Sequence, residues 1–264
     1  MRERGTGIFL ITKNKRGQLT LFIIIAIIIV GLGLLIYFFV LKPEVKVVFD
    51  EGNPNAFIQS CMENKMRDVI NKISLQGGVL EPEFYFDYNH TKISYLCYVS
   101  VEGSPCVIQQ PLLKNKIESE IKRGIEGDVR DCFNSLKESY ERRKYKVIMD
   151  EGATTVNILP KKIVSNFNYR LTVSKGGQTN RYESFGVNLK SDLYQLIGIT
   201  NRILIFEHYQ GDVNPNAYIS LGGPNIIIVK NLREDQTKIY AIENKNTGDR
   251  FQFASKSFTF PIFH

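Results

Sequence analysis

The sequence predicts an α+β fold behind a single membrane-crossing helix, on three observations. An uncharged apolar run lies near the N-terminus, apolar spacing changes from helical to alternating near residue 145, and all four cysteines follow the run. The expected architecture is an N-terminal transmembrane helix followed by a disulfide-stapled extracellular ectodomain, with a helical first half and a sheet-rich second half. Its parts are a basic cytoplasmic leader (1–17), the transmembrane helix (18–41), a stalk (42–53), a helical, cysteine-containing subdomain (54–140) and a sheet-rich α+β subdomain (141–264).

From Gly17 to Leu41 there are 25 residues without a charge. As a helix they measure roughly 37 Å, enough to cross a hydrocarbon core of about 30 Å. Five basic residues precede the run, whereas Lys42 and Lys46 after it are offset by Glu44, Asp50 and Glu51. The excess of Lys and Arg places the N-terminus in the cytoplasm and residues 43–264 outside, with the lipid bilayer as the first partner. The run ends in Tyr37-Phe38-Phe39-Val40-Leu41 rather than in small residues, so it reads as a retained anchor and not a cleaved secretory signal.

The junction Lys15-Arg16-Gly17-Gln18-Leu19-Thr20-Leu21-Phe22 resembles the class III signal peptide of archaeal type IV pilin-like surface proteins. The resemblance covers about 25 residues. It implies cleavage between Gly17 and Gln18 by a prepilin-type peptidase, leaving the apolar helix on the mature chain. Polymerising members of that family carry Glu at the fifth mature position and a helix that runs well beyond the membrane. Here the fifth position is Phe22, and Pro43 interrupts helix just past the span. The leader followed by a Cys-containing ectodomain is similar to uncharacterised surface proteins of small-genome archaea, a likeness that implies no activity.

Charge supports the topology. The chain carries +7 from 34 Lys+Arg and 27 Asp+Glu, but residues 1–42 hold +5 of it, leaving +2 for the other 222 residues. A nucleic-acid binder concentrates positive charge on its folded domain, so no nucleic-acid partner is expected.

Asn53-Pro54 is a helix start, with Asn as cap and Pro in the first turn. Ile58, Met62, Met66, Val69, Ile70 and Ile73 then repeat at helical spacing until Gly77-Gly78. Residues 83–88 alternate and 93–101 are rich in β-formers, predicting two short strands. A longer helix follows from Pro111, with Leu113, Ile117, Ile121, Ile125, Val129, Cys132, Leu136 and Tyr140 on one stripe, kinked midway by Gly124 and Gly127. Strands are expected at 145–149, 154–159 and 169–174, a helix at 188–209, and strands at 226–229, 238–242 and 250–253.

Cys61, Cys97, Cys106 and Cys132 form an even set in a disulfide-permissive compartment. Cys97 and Cys106 flank the turn Glu102-Gly103-Ser104-Pro105, while Cys61 and Cys132 lie on the core stripes of the two helices. The expected pairs are Cys61 with Cys132 and Cys97 with Cys106. No two cysteines are closer than nine positions, which disfavours a zinc knuckle, and no metal or cofactor is expected.

The three histidines, His90, His208 and His264, are too few to suggest a metal site or a catalytic triad, and no nucleophile elbow, phosphate loop or dinucleotide fingerprint occurs. Glu81, Glu83, Asp87 and His90 crowd together, but the alternation places Glu83 and Asp87 opposite Phe84, Phe86 and Tyr88, as in any half-exposed strand. No catalytic residue is singled out. Asn89-His90-Thr91 is the one glycosylation sequon, with Asn89 as acceptor. These features favour a membrane-anchored cell-envelope protein whose extracellular domain binds or scaffolds a protein or glycan; a pilin-like filament subunit and an anchored extracellular hydrolase are the alternatives.

Overall fold

The computed structural model describes residues 22–32, 49–215 and 223–258. The chain divides into two compact units, Met1–Lys46 and Val47–His264. In the first unit residues 22–32 form helix α1, every residue of it exposed. Among the described residues no helix is long and apolar enough to cross a membrane. The predicted span (18–41) reaches past residues 22–32 on both sides, and Gly17, Gln18 and Pro43 also lie outside the described residues.

The second unit is α+β. Helix α2 (Pro54–Leu75) starts as expected: the Asn53 side chain accepts from Ala56 N at 3.0 Å and Pro54 occupies the first turn. Ile58, Met62, Met66 and Ile73 are fully buried along one face. The helix stops where Gly77 and Gly78 take φ of 77° and 94°, with Gly78 N returning to Ile73 O at 2.9 Å.

Helix α3 (Leu113–Arg142) carries the predicted stripe but runs unbroken for 30 residues, which corrects the expected kink. The two glycines differ in why they are there. A Cβ on Gly124 would sit 2.6 Å from Val69 Cγ1 of α2, so Gly124 is where the two helices touch; a Cβ on Gly127 would meet nothing within 4 Å. Gly124→Ala should therefore cost about 1–2 kcal/mol through overpacking. Gly127→Ala should gain about 0.5–1 kcal/mol from helix propensity and a less flexible unfolded chain. Urea midpoints of the two variants check this, and a loss at both positions would contradict it.

Between α3 and helix α4 (Leu193–Gln210) the chain makes three antiparallel passes, each broken once. Strands β4 (Lys146–Asp150) and β5 (Thr154–Leu159) form the first pass, β6 (Lys162–Phe167) and β7 (Arg170–Lys175) the second, and β8 (Gln178–Tyr182) and β9 (Phe185–Lys190) the third. The breaks divide the passes into two three-stranded sheets, β4-β7-β8 and β5-β6-β9. Asp150 pairs with Arg170 and Thr154 with Phe167, so residues 151–153 face only 168 and 169: one extra residue, a β-bulge that bends the strand. Gly152 sits in it, where a Cβ would fall 1.9 Å from Asn168 O. Only glycine fits so close to that carbonyl.

The edges of the β5-β6-β9 sheet are closed by the helices. Gln59 of α2 gives its amide to Asn188 O (3.2 Å) and accepts from Asn188 N (2.9 Å), and Asn55 accepts from Gly186 N at 2.8 Å. On the opposite edge Glu118 of α3 accepts from Ile158 N at 2.8 Å. Side chains thus supply the partners that a neighbouring strand would otherwise offer, blunting both edges.

The remaining strands are β1 (Tyr85–Tyr88), β2 (Thr91–Tyr98), β3 (Val107–Ile108), β10 (Ile226–Leu232), β11 (Thr237–Asn244) and β12 (Arg250–Lys256). They form a six-stranded sheet in the order β1-β2-β12-β11-β10, with β3 also on β2. The β12–β2 pair is parallel and the others antiparallel. Helix α4 packs against β2, β11 and β12. Residues from α2, α3, α4 and both strand systems join one apolar core, so residues 54–140 and 141–264 share it.

Strands β3, β6, β8 and β9 were not expected from the sequence, and α4 begins five residues later than predicted. Leu189, Leu193 and Leu196 are spaced like a helix face, yet Phe185, Val187 and Leu189 alternate into the core and belong to β9. In β6 the inward series Ile163, Ser165, Phe167 is interrupted by a polar residue; the Ser165 hydroxyl is buried with no partner among the described residues.

Candidate functional site

The most buried ion pair among the described residues lies where α4 meets the large sheet. Ile203, Leu204 and Glu207 occupy the buried face of α4, and the Glu207 carboxylate is wholly inaccessible. Lys238 of β11 places Nζ 3.0 Å from Glu207 Oε2. Tyr240 OH donates to Oε1, and Ser255 Oγ (2.9 Å) and Ser257 Oγ donate to Oε2. Four donors thus satisfy a carboxylate that burial alone would make costly. Lys238 also bonds Gly211 O, the left-handed C-cap of α4, so the cation closes that helix end.

A cavity of about 420 Å³ opens over this centre, lined by Lys238, Ser257, Asp212, Lys230 and Glu102. Ser257 Oγ is 2.8 Å from Lys238 Nζ, the pairing a Ser/Lys hydrolase uses. Here the ammonium donates to Glu207, Gly211 O, Ser257 O and the Ser257 hydroxyl oxygen, and that hydroxyl in turn faces Glu207 and Gly211 O. Lys238 thus stands as a donor to the serine rather than as its base. The arrangement fastens α4 to β11 and β12.

A second polar cluster ties the start of α4 to two turns. Asp192 accepts from Lys161 (2.8 Å), Asn244 (2.7 Å) and Thr247 (3.1 Å), and Asp249 accepts from Ser191 Oγ (2.9 Å) and from Asp192 N. No group of three or more His, Cys, Asp or Glu that could hold a metal occurs among the described residues.

At the beginning of the domain Glu51 accepts from Tyr145 OH at 2.6 Å and pairs with Arg143 at 3.0 Å, while Tyr140 OH donates to its backbone carbonyl. Arg143 also covers the ring of Phe49, which packs edge-on against Tyr140. The bonds from Tyr145 and Arg143 hold the Glu51 carboxyl below its ordinary 4.5.

Three further carboxyls are also depressed. For each of them burial pulls upward and is outweighed: in Glu120 by Leu80 N, Lys116 and Arg123, in Asp212 by Lys230 and Val213 N, and in Asp235 by the Thr237 hydroxyl and N–H. The unfolded chain takes up protons at the ordinary values, 4.5 for Glu and 3.8 for Asp, before the folded chain does, so the stabilisation is present above those values and is withdrawn as pH falls from them through the lower folded-state ones. Melting temperature should drop steeply below about pH 4.5, and Glu120→Gln should flatten that drop. A profile unchanged in the variant would contradict it.

A second recess, of about 450 Å³, lies between α3 and the β1–β2 hairpin. Its floor is aromatic: Phe84 stands 4.9 Å from Tyr95 and 4.6 Å from Tyr98, centroid to centroid, and Tyr95 is anchored by a 3.0 Å bond between its hydroxyl and that of Thr237. Phe84 is nevertheless 47% exposed, leaving ring surface open to the recess. The wall from α3 carries Glu120, held by Lys116 at 3.0 Å and Arg123 at 2.6 Å.

The predicted site residues are placed as follows. Cys61 is bonded to Cys132 with Cα atoms 6.0 Å apart, and Cys97 to Cys106 at 5.4 Å, the pairing expected from their positions. Asn89 and His90 form the two-residue tip of the β1–β2 hairpin with φ of 50° and 61°, and Asn89 is exposed. Asp87 faces solvent on β1, with Phe86 and Tyr88 turned inward. His208 lies in the last turn of α4, as anticipated, and its Nδ1 also contacts Cys106 O at 2.7 Å. Gly17 and Gln18 lie outside the described residues. Sequence reasoning missed Glu207 and Lys238; an acid on the apolar face of a helix was the available signal.

No protein family, curated protein or solved structure matches the chain.

Proposed function

We propose that this is a single-pass membrane-anchored cell-envelope protein with a non-catalytic extracellular domain that binds or scaffolds a protein or glycan. The observation that carries the reading is the state of the cysteines: all four are engaged in two disulfides, which suits an oxidising space outside the cytoplasm. Residues 22–32 add to it, being wholly apolar yet exposed along their length, as expected of a helix surrounded by lipid. The basic leader supplies the orientation, and the Lys15-Arg16-Gly17-Gln18 junction supplies a peptidase site on the cytoplasmic side. Phe22 and Pro43 favour an anchored protein over a filament subunit, and the Ser257/Lys238 geometry favours binding over hydrolysis.

The test is the topology of the full chain in cells. It should sediment with membranes through alkaline washing, and protease added outside intact cells should digest the disulfide-bonded domain. N-terminal mass spectrometry should give Gln18 as the first residue. Release by alkali, or protection of the domain until lysis, would overturn the anchored extracellular reading; an intact leader would remove the processing step.

A further inference from the structure

We infer that the recess between α3 and the β1–β2 hairpin is a binding site for an uncharged saccharide, one or two pyranose rings in size. The proposal deepens the extracellular binding reading and rests on it for the source of the ligand. The volume, about 450 Å³, falls in the range of ligand pockets, roughly 300–1,000 Å³.

The floor decides the kind of contact. Phe84 is fixed by edge-on and tilted packing against Tyr98 and Tyr95, yet 47% exposed. An apolar C–H face laid on this ring would bury both surfaces, as aromatic faces do with flat apolar partners. Around the ring most of the lining can hydrogen-bond: Gln109, Gln110, Glu83, Ser94 and Glu120 line the recess beside the smaller apolar Val79 and Pro82. The half-buried Gln110 amide has no hydrogen-bond partner among the described residues. One apolar face and an edge of hydroxyls is what a pyranose presents to such a site.

Charge decides the class. Lys116 and Arg123 are the two cations of the recess, and both are engaged by Glu120. Arg123 also approaches Glu81 at 4.0 Å. With Glu81, Glu83 and Glu120 against those two, an anionic ligand would meet net repulsion and no free cation. Phosphates, acidic sugars and nucleic acids are therefore excluded in favour of a neutral glycan.

The experiment is saturation-transfer NMR on the full chain, purified in a detergent without a sugar headgroup, with maltose, cellobiose and chitobiose as probes and glucuronate as the charged control. Saturation should reach the C–H protons of at least one neutral disaccharide and none of glucuronate. Phe84→Leu, which keeps the apolar packing and removes the ring face, should abolish it, and Gln110→Ala should weaken affinity about ten-fold. Tyr209→Ala, an exposed aromatic on α4, should leave it unchanged. No transfer to any neutral probe at millimolar concentration, or full transfer in Phe84→Leu, overturns the proposal. Because binding is read on purified protein and topology in cells, failure of one is separable from failure of the other.

Discussion

Lys238→Met is expected to lower the unfolding free energy by about 3–5 kcal/mol, the cost of leaving a buried charge without its counterion. The thioether fills much of the lysine's volume, so the loss isolates the ammonium. Glu207 keeps the hydroxyls of Tyr240, Ser255 and Ser257 but has no other cationic partner among the described residues, and Ser257 O loses its donor. Lys230→Met is the control: its pair with Asp212 has side chains 21% and 42% exposed. Screened pairs of that kind contribute about 1 kcal/mol or less. Urea unfolding of both variants gives the comparison, and equal losses would show that the buried centre is no more cohesive than a surface pair.

The second large effect is loss of the Cys61–Cys132 bond. It closes a separation of 71 residues against 9 for Cys97–Cys106. The chain-entropy argument then gives about 4 kcal/mol for the first and about 2.5 kcal/mol for the second. Cys61→Ala/Cys132→Ala should accordingly unfold at lower urea than Cys97→Ala/Cys106→Ala. Reduction of the native protein should discriminate in the same direction. Both sulfurs of the short loop belong to fully buried residues, whereas Cys61 is half-exposed, so a thiol reductant reaches the long-range bond first. Timed alkylation and peptide mapping read that order; earlier opening of Cys97–Cys106 would contradict it.

How far the sequence foretold this fold depends on where burial follows a simple period. Helices α2 and α3 were legible because Met62, Met66, Ile117, Ile121 and Ile125 repeat at helical spacing and all are buried. The disulfide pairing followed from the same stripes, since stripes that face each other bring Cys61 and Cys132 together. Strand β8 was invisible because Gln178–Tyr182 buries almost nothing and is defined by its pairing with β7 alone. The bulge at Gly152 was equally hidden, because it depends on the carbonyl of Asn168, a neighbour in space. The same holds for the two polar features. Glu207 acquires its partners from β11 and β12, and the recess joins Phe84 to Gln110 and α3. Single residues in both places look ordinary until the tertiary structure assembles them.

The clamp at Glu51 has a mechanical meaning. Any pull on the chain from its N-terminal side enters this domain at Phe49 to Glu51, and those residues grip Tyr140, Arg143 and Tyr145 at the end of α3. Eight residues back from Tyr140 along the same helix lies Cys132, covalently joined to Cys61 of α2. Tension is therefore delivered to a cross-linked helix pair and shared along its length. The six-stranded sheet lies outside that cross-linked pair.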